Sequence, residues 1–162
     1  MKRQISFHRE SWAAMAPFRI TGRTWHAFDT LSVELAEGGV VGRAEALGIY
    51  YTGSTADTML VEAETVRAAL ENGVDRAALQ QLLPPGGTRN ALDCALWDLE
   101  AKLSGKSAWT LAGVRDAPVE TVFTIGIEDD PEAMGEKAAR APHPLLKVKL
   151  DGDRPVERVE AI

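Results

Sequence analysis

The chain has 162 residues, 45% of them hydrophobic and 26% charged, with a formal net charge of −6. That is enough for one ordinary domain and short for two; the composition excludes a disordered chain, and the acidic balance argues against nucleic acid or an anionic membrane as partner. No apolar run approaches the about 18 residues of a membrane span, the basic N-terminus lacks the apolar core of a signal peptide, and the single cysteine, Cys94, can form neither an intramolecular disulfide nor, alone, a zinc site, so the expected location is the cytoplasm.

Extended segments come first. Ile5, Phe7 and Trp12 mark a first strand, and a second runs over 25–35, where Leu31, Val33 and Leu35 alternate. Between them residues 15–23 mix apolar and cationic side chains with Pro17 and Gly22 near the ends, the composition of a lid loop. Glu37-Gly38-Gly39 reads as a tight hairpin turn into a third strand, 40–45.

Helices follow. Ser54 or Thr55 can cap a helix running to about Leu70, with Leu60, Ala63, Val66, Ala69 and Leu70 on one face. Asp75 caps a shorter one that Pro84-Pro85-Gly86-Gly87 stops. The most regular helix spans 88–103, with Leu92, Ala95, Leu96, Leu99 and Leu103 at helical spacing and Gly105 beyond its end. A short helix over 108–111 closes on Gly113.

After Pro118 the pattern changes to strand (119–125), helix from Asp130-Pro131 to about 140, strand (145–150), and a helix capped by Asp153 with Val156, Val159 and Ile162 on one face. Strand–helix–strand–helix is the signature of parallel βαβ units. The fold class is therefore an α+β domain, a three-stranded antiparallel sheet with a helical bundle over 1–117, followed over 118–162 by the first two β/α units of an incomplete TIM-type barrel. A closed barrel takes about 250 residues.

Four segments in this order resemble the enolase superfamily, in its muconate-lactonizing subgroup and most closely the dipeptide epimerases. They are Gly42-Arg43-Ala44-Glu45-Ala46 at the end of the third strand, Ala91-Leu92-Asp93-Cys94-Ala95-Leu96-Trp97-Asp98-Leu99 in the long helix, Thr121-Val122-Phe123-Thr124-Ile125 in the first barrel strand, and Lys147-Val148-Lys149 in the second. The resemblance covers the whole chain. The helix motif and the lysine pair at this separation carry most of its specificity.

Strand geometry places Lys147 and Lys149 on one face, with Cα atoms roughly 6.5–7 Å apart. Charge repulsion and burial both favour a neutral lysine, the form that can take a proton from carbon. The resemblance implies that Lys149 is the general acid/base on one face of a substrate α-carbon and that Lys147 supplies positive charge to the enolate. It also implies Mg2+ in the complete enzyme, with metal carboxylates and a second base on later barrel strands that this chain does not contain.

Thr124 is expected to line the substrate pocket from the end of its strand. Arg23 is a candidate for a substrate carboxylate, and Phe18 and Ile20 for side-chain selectivity. For each of these a purely structural role is the competing reading. Asp93, Asp98 and Glu100 are catalytic by type, yet sit on a structural helix as ion-pair partners. Cys94 is expected in the core, and His8, His26 and His143 show no metal-ligand spacing. Tyr50-Tyr51 can border a site or lie on the surface.

The implied activity is an isomerase acting on a small carboxylate, most like L-Ala-D/L-Glu dipeptide epimerase, with muconate-type cycloisomerase and o-succinylbenzoate synthase as alternatives. A homo-oligomer is compatible with the sequence. A reading of another class is a truncated, non-catalytic chain serving in assembly. In that case the apolar edges and faces of the two unclosed parallel strands should make the isolated polypeptide weakly stable or self-associating.

Overall fold

The computed structural model describes residues 2–162. The chain forms two compact units, 1–12 with 28–116, and 13–27 with 117–162.

Three strands form a sheet in the order β1 (Gln4–Ile20), β2 (Arg23–Glu37), β3 (Val40–Leu47), of which residues 4–12 and 28–47 belong to the first unit. The β2–β3 turn is the expected one, with Gly38 and Gly39 both at positive φ, 58° and 83°, as a two-residue hairpin turn requires. The antiparallel register pairs Leu31 with Ala46, Val33 with Ala44 and Leu35 with Gly42. These residues share one face of the sheet, and Leu31, Val33 and Leu35 are almost completely buried.

Helix α4 (Gly87–Ser104) lies across that face. Its Ala91, Leu92, Ala95, Leu96 and Leu99 enter one core with Met59, Ala63, Leu70 and Leu79 from the shorter helices and Val66 and Leu83 at their ends. Gly42 is where the helix comes nearest the sheet, because a Cβ there would meet the Ala95 carbonyl oxygen at 2.4 Å.

The structure departs from the sequence reading at several points. The lid loop over 15–23 is a β-hairpin: β1 continues to Ile20, Thr21-Gly22 makes the turn, and β2 starts at Arg23. Pro17 lies on an edge strand, the position within a sheet where proline is tolerated. The single helix expected to Leu70 is two, α1 (Ala56–Thr65) and α2 (Arg67–Glu71), separated at Val66 (φ −108°, ψ 4°). There the Thr65 hydroxyl donates to the Glu62 carbonyl, local competition that weakens a helix end.

Thr55 and Asp75 cap α1 and α3 (Arg76–Leu82) as expected, and α5 covers Ala108–Ala112. A single 3-10 turn, Tyr50–Thr52, follows β3. Cys94 is exposed, a correction to its expected core position. The core-facing stripe of α4 is taken by Leu92, Ala95, Leu96 and Leu99, and position 94 falls outside it.

The second unit carries the parallel pair β4 (Phe123–Ile125) and β5 (Leu146–Val148), with α6 (Pro131–Ala139) and α7 (Pro155–Glu160). Both strands are shorter than the sequence suggests, since only three residue pairs are in register. Asp130 caps α6, accepting from the Ala133 amide at 2.7 Å. Asp153 does not cap α7. The N-cap is Arg154, at φ 44° and without a side-chain cap, while the Asp153 carboxylate accepts from Arg158 at 3.1 Å. The expected apolar stripe of α7 is reversed: Val156 and Val159 are exposed, and Arg158 is buried at 2% exposure.

Candidate active site

The parallel register sets Thr124 beside Lys147 and Ile125 beside Val148. Register partners project to the same side of a parallel pair, and neighbours along each strand alternate. On one side lie Phe123, Ile125, Leu146 and Val148, which pack with Met134 and Ala138 of α6. Thr124 and Lys147 therefore project to the side away from α6, which in a β/α barrel is the interior. Lys149 lies just past the end of β5, but its amide still donates to the Ile125 carbonyl at 2.9 Å. The alternation continues through it, so Lys149 shares the face of Lys147 and Thr124. Lys149 and Thr124 are half-buried and Lys147 is exposed.

The carboxyl ends of the two strands run into loops over 126–130 and 149–154, and one buried side chain joins them. Arg158 donates to the Glu128 carbonyl in the first loop and the Asp153 carbonyl in the second, both at 2.9 Å, as well as to the Asp153 carboxylate. Its 2% exposure is compatible with a buried cation because these acceptors replace water. Arg158 is not among the candidate residues that the sequence pattern marks. Its signal would have been an arginine three residues into a helix that opens with a proline, one turn from the loop carrying an aspartate.

The hairpin tip, residues 13–27, belongs to this unit. The Ile127 amide donates to the Arg19 carbonyl at 3.0 Å, the Arg19 guanidinium pairs with Asp129 at 2.9 Å, and the Thr21 hydroxyl donates to the Leu150 carbonyl at 2.9 Å. Arg23, Phe18 and Ile20 are thus carried by the element that meets both strand-end loops. Within the tip, the Arg23 guanidinium lies 4.9 Å from the centroid of the Trp25 ring, and the Phe18 and Trp25 rings are 6.1 Å apart. Phe18 and Ile20 are half-buried and Arg23 is exposed. Trp25, Arg19 and Thr21 are functional-site neighbours that the sequence did not single out; a hairpin in place of a loop makes alternate positions share a face.

The carboxylates of α4 have structural partners. Asp98 accepts from the Arg43 amide and from Lys102, Glu100 pairs with Arg76, and Asp93 accepts from Gln80. Burial would raise the Asp98 carboxyl, but hydrogen bonds from Lys102 and the Arg43 amide, with the charges of both residues, outweigh it and hold its pKa below the usual carboxylate range. The exposed Tyr50 and Tyr51 rings meet edge to face, 5.2 Å apart, and His143 stacks on Phe123.

A divalent cation such as Mg2+ takes oxygen ligands, carboxylates above all. The strand face described here presents two lysine side chains and one hydroxyl, with no carboxylate among them. Among the described residues no group of three or more His, Cys, Asp or Glu stands close enough to hold a metal. These residues do not fit a metal, and no helix among them is long and apolar enough to cross a membrane.

Comparison with known proteins places this geometry. The family model for the N-terminal domain of mandelate racemase / muconate lactonizing enzyme matches residues 2–113. The L-Ala-D/L-Glu epimerase of Escherichia coli (strain K12) is 35% identical over 165 residues, covering 99% of this chain and 51% of the epimerase. An enolase family member from Agrobacterium tumefaciens with homology to dipeptide epimerases, solved with sodium and L-Ala-L-Glu bound, superposes with a TM-score of 0.90 at 34% identity. That match covers 98% of this chain and 49% of the other. A dipeptide epimerase from Enterococcus faecalis V583, complexed with Mg and L-Leu-L-Tyr, gives 0.86 at 28% identity, over 100% and 50% of the two chains. The chain thus spans about half the length of the relatives it matches. By its sheet-and-helix domain, its paired lysines on a parallel strand and these matches, the chain belongs to the mandelate racemase / muconate lactonizing enzyme family of the enolase superfamily.

Proposed function

We propose that the chain is the N-terminal part of a dipeptide epimerase, an isomerase that removes the α-proton of a dipeptide carboxylate and returns it with inverted configuration. The single observation carrying this reading is the shared face of Thr124, Lys147 and Lys149, turned away from the α6-packed side of the strand pair. The capping domain over 1–117 and the barrel opening over 118–162 are the division this reading uses, and the cytoplasm is the location it uses.

In this reading Lys149, as the neutral amine, takes the α-proton at its Nζ, and the proton leaves the carbon electron pair to delocalise into the adjacent carboxyl group. Lys147, the ammonium beside it, offsets the negative charge that develops there. Thr124 borders the substrate. Arg23 on the hairpin tip meets a substrate carboxylate by charge-assisted hydrogen bonds, and Phe18 and Ile20 shape the space for the side chain. The metal of the relatives supplies further charge stabilisation when bound, from ligands outside this chain. The base for the opposite face also lies outside it.

The test is α-proton exchange in deuterated water with L-Ala-L-Glu, using a polypeptide that carries this chain together with a full barrel, Mg2+ present. Deuterium incorporation with formation of the epimer is the expected result. Absence of exchange with every dipeptide tried, alongside turnover of a lactone, overturns it in favour of cycloisomerase chemistry.

A further inference from the structure

The ladder between β4 and β5 has its last described bond at Lys149, whose amide donates to the Ile125 carbonyl. Beyond it the chain enters the loop over 149–154. A lysine at such a point has four flexible side-chain torsions and a backbone held from one side only, which is poor preorganisation for an amine that must meet one carbon. The next carbonyl along, that of Leu150, accepts a 2.9 Å hydrogen bond from the hydroxyl of Thr21, at the turn of the β1–β2 hairpin.

The two-residue stretch Lys149-Leu150 is therefore pinned at both ends, by the sheet before it and by the hairpin tip after it. The tip has a separate hold on the other loop, through the Arg19 carbonyl to Ile127 and the Arg19 guanidinium to Asp129. Docking of the tip on the first loop thus does not require Thr21. Its hydroxyl serves the second loop, one residue from the lysine.

We propose that Thr21 is a positioning residue for Lys149, its hydroxyl fixing the Leu150 carbonyl so that docking of the hairpin tip and placement of the lysine are one event. The inference rests on the reading of Lys149 as the proton-transferring base. Both contacts are exposed, and the ion pair of Arg19 with Asp129, exposed by 43% and 87%, orients weakly, as exposed pairs do. The bond from Thr21 has a fixed direction and reaches the backbone. Its loss frees the segment that carries the base, whereas loss of the ion pair loosens the tip on the other loop.

The experiment compares Thr21→Val, which keeps the shape and removes the hydroxyl, with Thr21→Ser, which keeps the hydroxyl, and with Asp129→Asn as a control on the other loop. All are made in a polypeptide carrying this chain with a full barrel. Backbone amide exchange is followed by mass spectrometry over 18–22 and 149–151, and α-proton exchange of L-Ala-L-Glu is measured for kcat and KM separately. Thr21→Val is expected to speed amide exchange over 149–151 by roughly three- to tenfold, the worth of one hydrogen bond. It should lower kcat by a similar factor with a smaller change in KM. Thr21→Ser should restore both, and Asp129→Asn should speed exchange at the tip without the same loss over 149–151. Unchanged amide exchange over 149–151 in Thr21→Val, a loss confined to KM, or failure of Thr21→Ser to rescue overturns the proposal. If the unaltered enzyme exchanges no dipeptide α-proton, the functional reading fails. The amide exchange then decides the tie alone: faster exchange over 149–151 upholds it, and none overturns it.

Discussion

A methyl group on the Cα of Gly42 would lie 2.4 Å from the carbonyl oxygen of Ala95 and 2.7 Å from the amide nitrogen of Leu99. Both neighbours are backbone atoms of α4, which cannot rotate aside as a side chain can. Gly42→Ala therefore forces β3 and α4 apart along the contact that closes the core, and is expected to destabilise the fold by about 1–3 kcal/mol. Urea unfolding should show this as a lower midpoint at an unchanged slope. An unaltered midpoint would mean that helix and strand are not in backbone contact.

Replacing Lys149 by alanine should cut α-proton exchange in the barrel-completed enzyme by about 10²–10⁴-fold, the range for removal of a general base. Lys147→Met should cost less, because it removes a charge and leaves the base in place. Neither change should move the melting temperature much, since Lys149 contributes to the sheet through its amide and Lys147 is exposed. Equal losses from the two variants would show that the roles are not divided as proposed.

Asp98 makes the sheet–helix contact sensitive to acid. Its folded pKa lies below the ordinary value, so the stabilisation it contributes is complete above the unfolded aspartate pKa of about 3.9 and is lost as pH falls below that, through the folded value. The predicted signature is a drop in urea midpoint between pH 5 and pH 3 that is shallower in Asp98→Asn. Matching pH profiles for the two proteins would remove Asp98 from the account of acid unfolding.

The Cys94 thiol is pushed up by partial burial and then by the Asp93 carboxylate beside it. Less thiolate is present at neutral pH than for an ordinary cysteine, so alkylation by iodoacetamide should be slow at pH 7.5 despite the residue's exposure. It should accelerate toward higher pH than a free thiol requires. Asp93→Asn is expected to raise the neutral rate, and a rate at least equal to that of free cysteine at pH 7.5 would contradict the shift.

Arg158→Met keeps a long apolar stem and removes the guanidinium that ties Glu128 to Asp153. Two loop carbonyls lose their donor in a part-buried setting, at a cost of about 1–3 kcal/mol. Hydrogen exchange over 126–130 and 149–154 should rise while that of α4 stays as it was. Protection retained in both loops would show that they are held by other contacts.

Much of this architecture was legible in the residue pattern, for identifiable reasons. Alternation over Leu31, Val33 and Leu35 and the helical spacing of Leu92, Ala95, Leu96 and Leu99 report burial on one face, and those residues form the core. Caps at Thr55, Asp75 and Asp130 are local hydrogen bonds that short spacing encodes. What the pattern hid depended on partners distant in sequence. The hairpin tip looks like a loop because Pro17 reads as a breaker, yet it lies on an edge strand, where proline is tolerated. Arg158 looks like a solvated helix cation until Glu128 and Asp153 are brought to it. The lysine pair was visible as a face, but the tie from Thr21 to Leu150 spans the length of the chain between them and has no local signature.

The grouping of residues 13–27 with the strand-end loops bears on how such proteins can be re-engineered. The segment that carries Phe18, Ile20 and Arg23 is chemically addressed to Ile127, Asp129 and Leu150. A graft of the tip from one relative into another would find the backbone carbonyl at 150 and, unless it is proline, the backbone amide at 127 in any sequence, but would keep the Arg19–Asp129 pair only if position 129 is an acid. Such chimeras should hold that pair when the tip and the loop over 126–130 are transferred together, although Arg19 and Asp129 lie 110 residues apart in the chain.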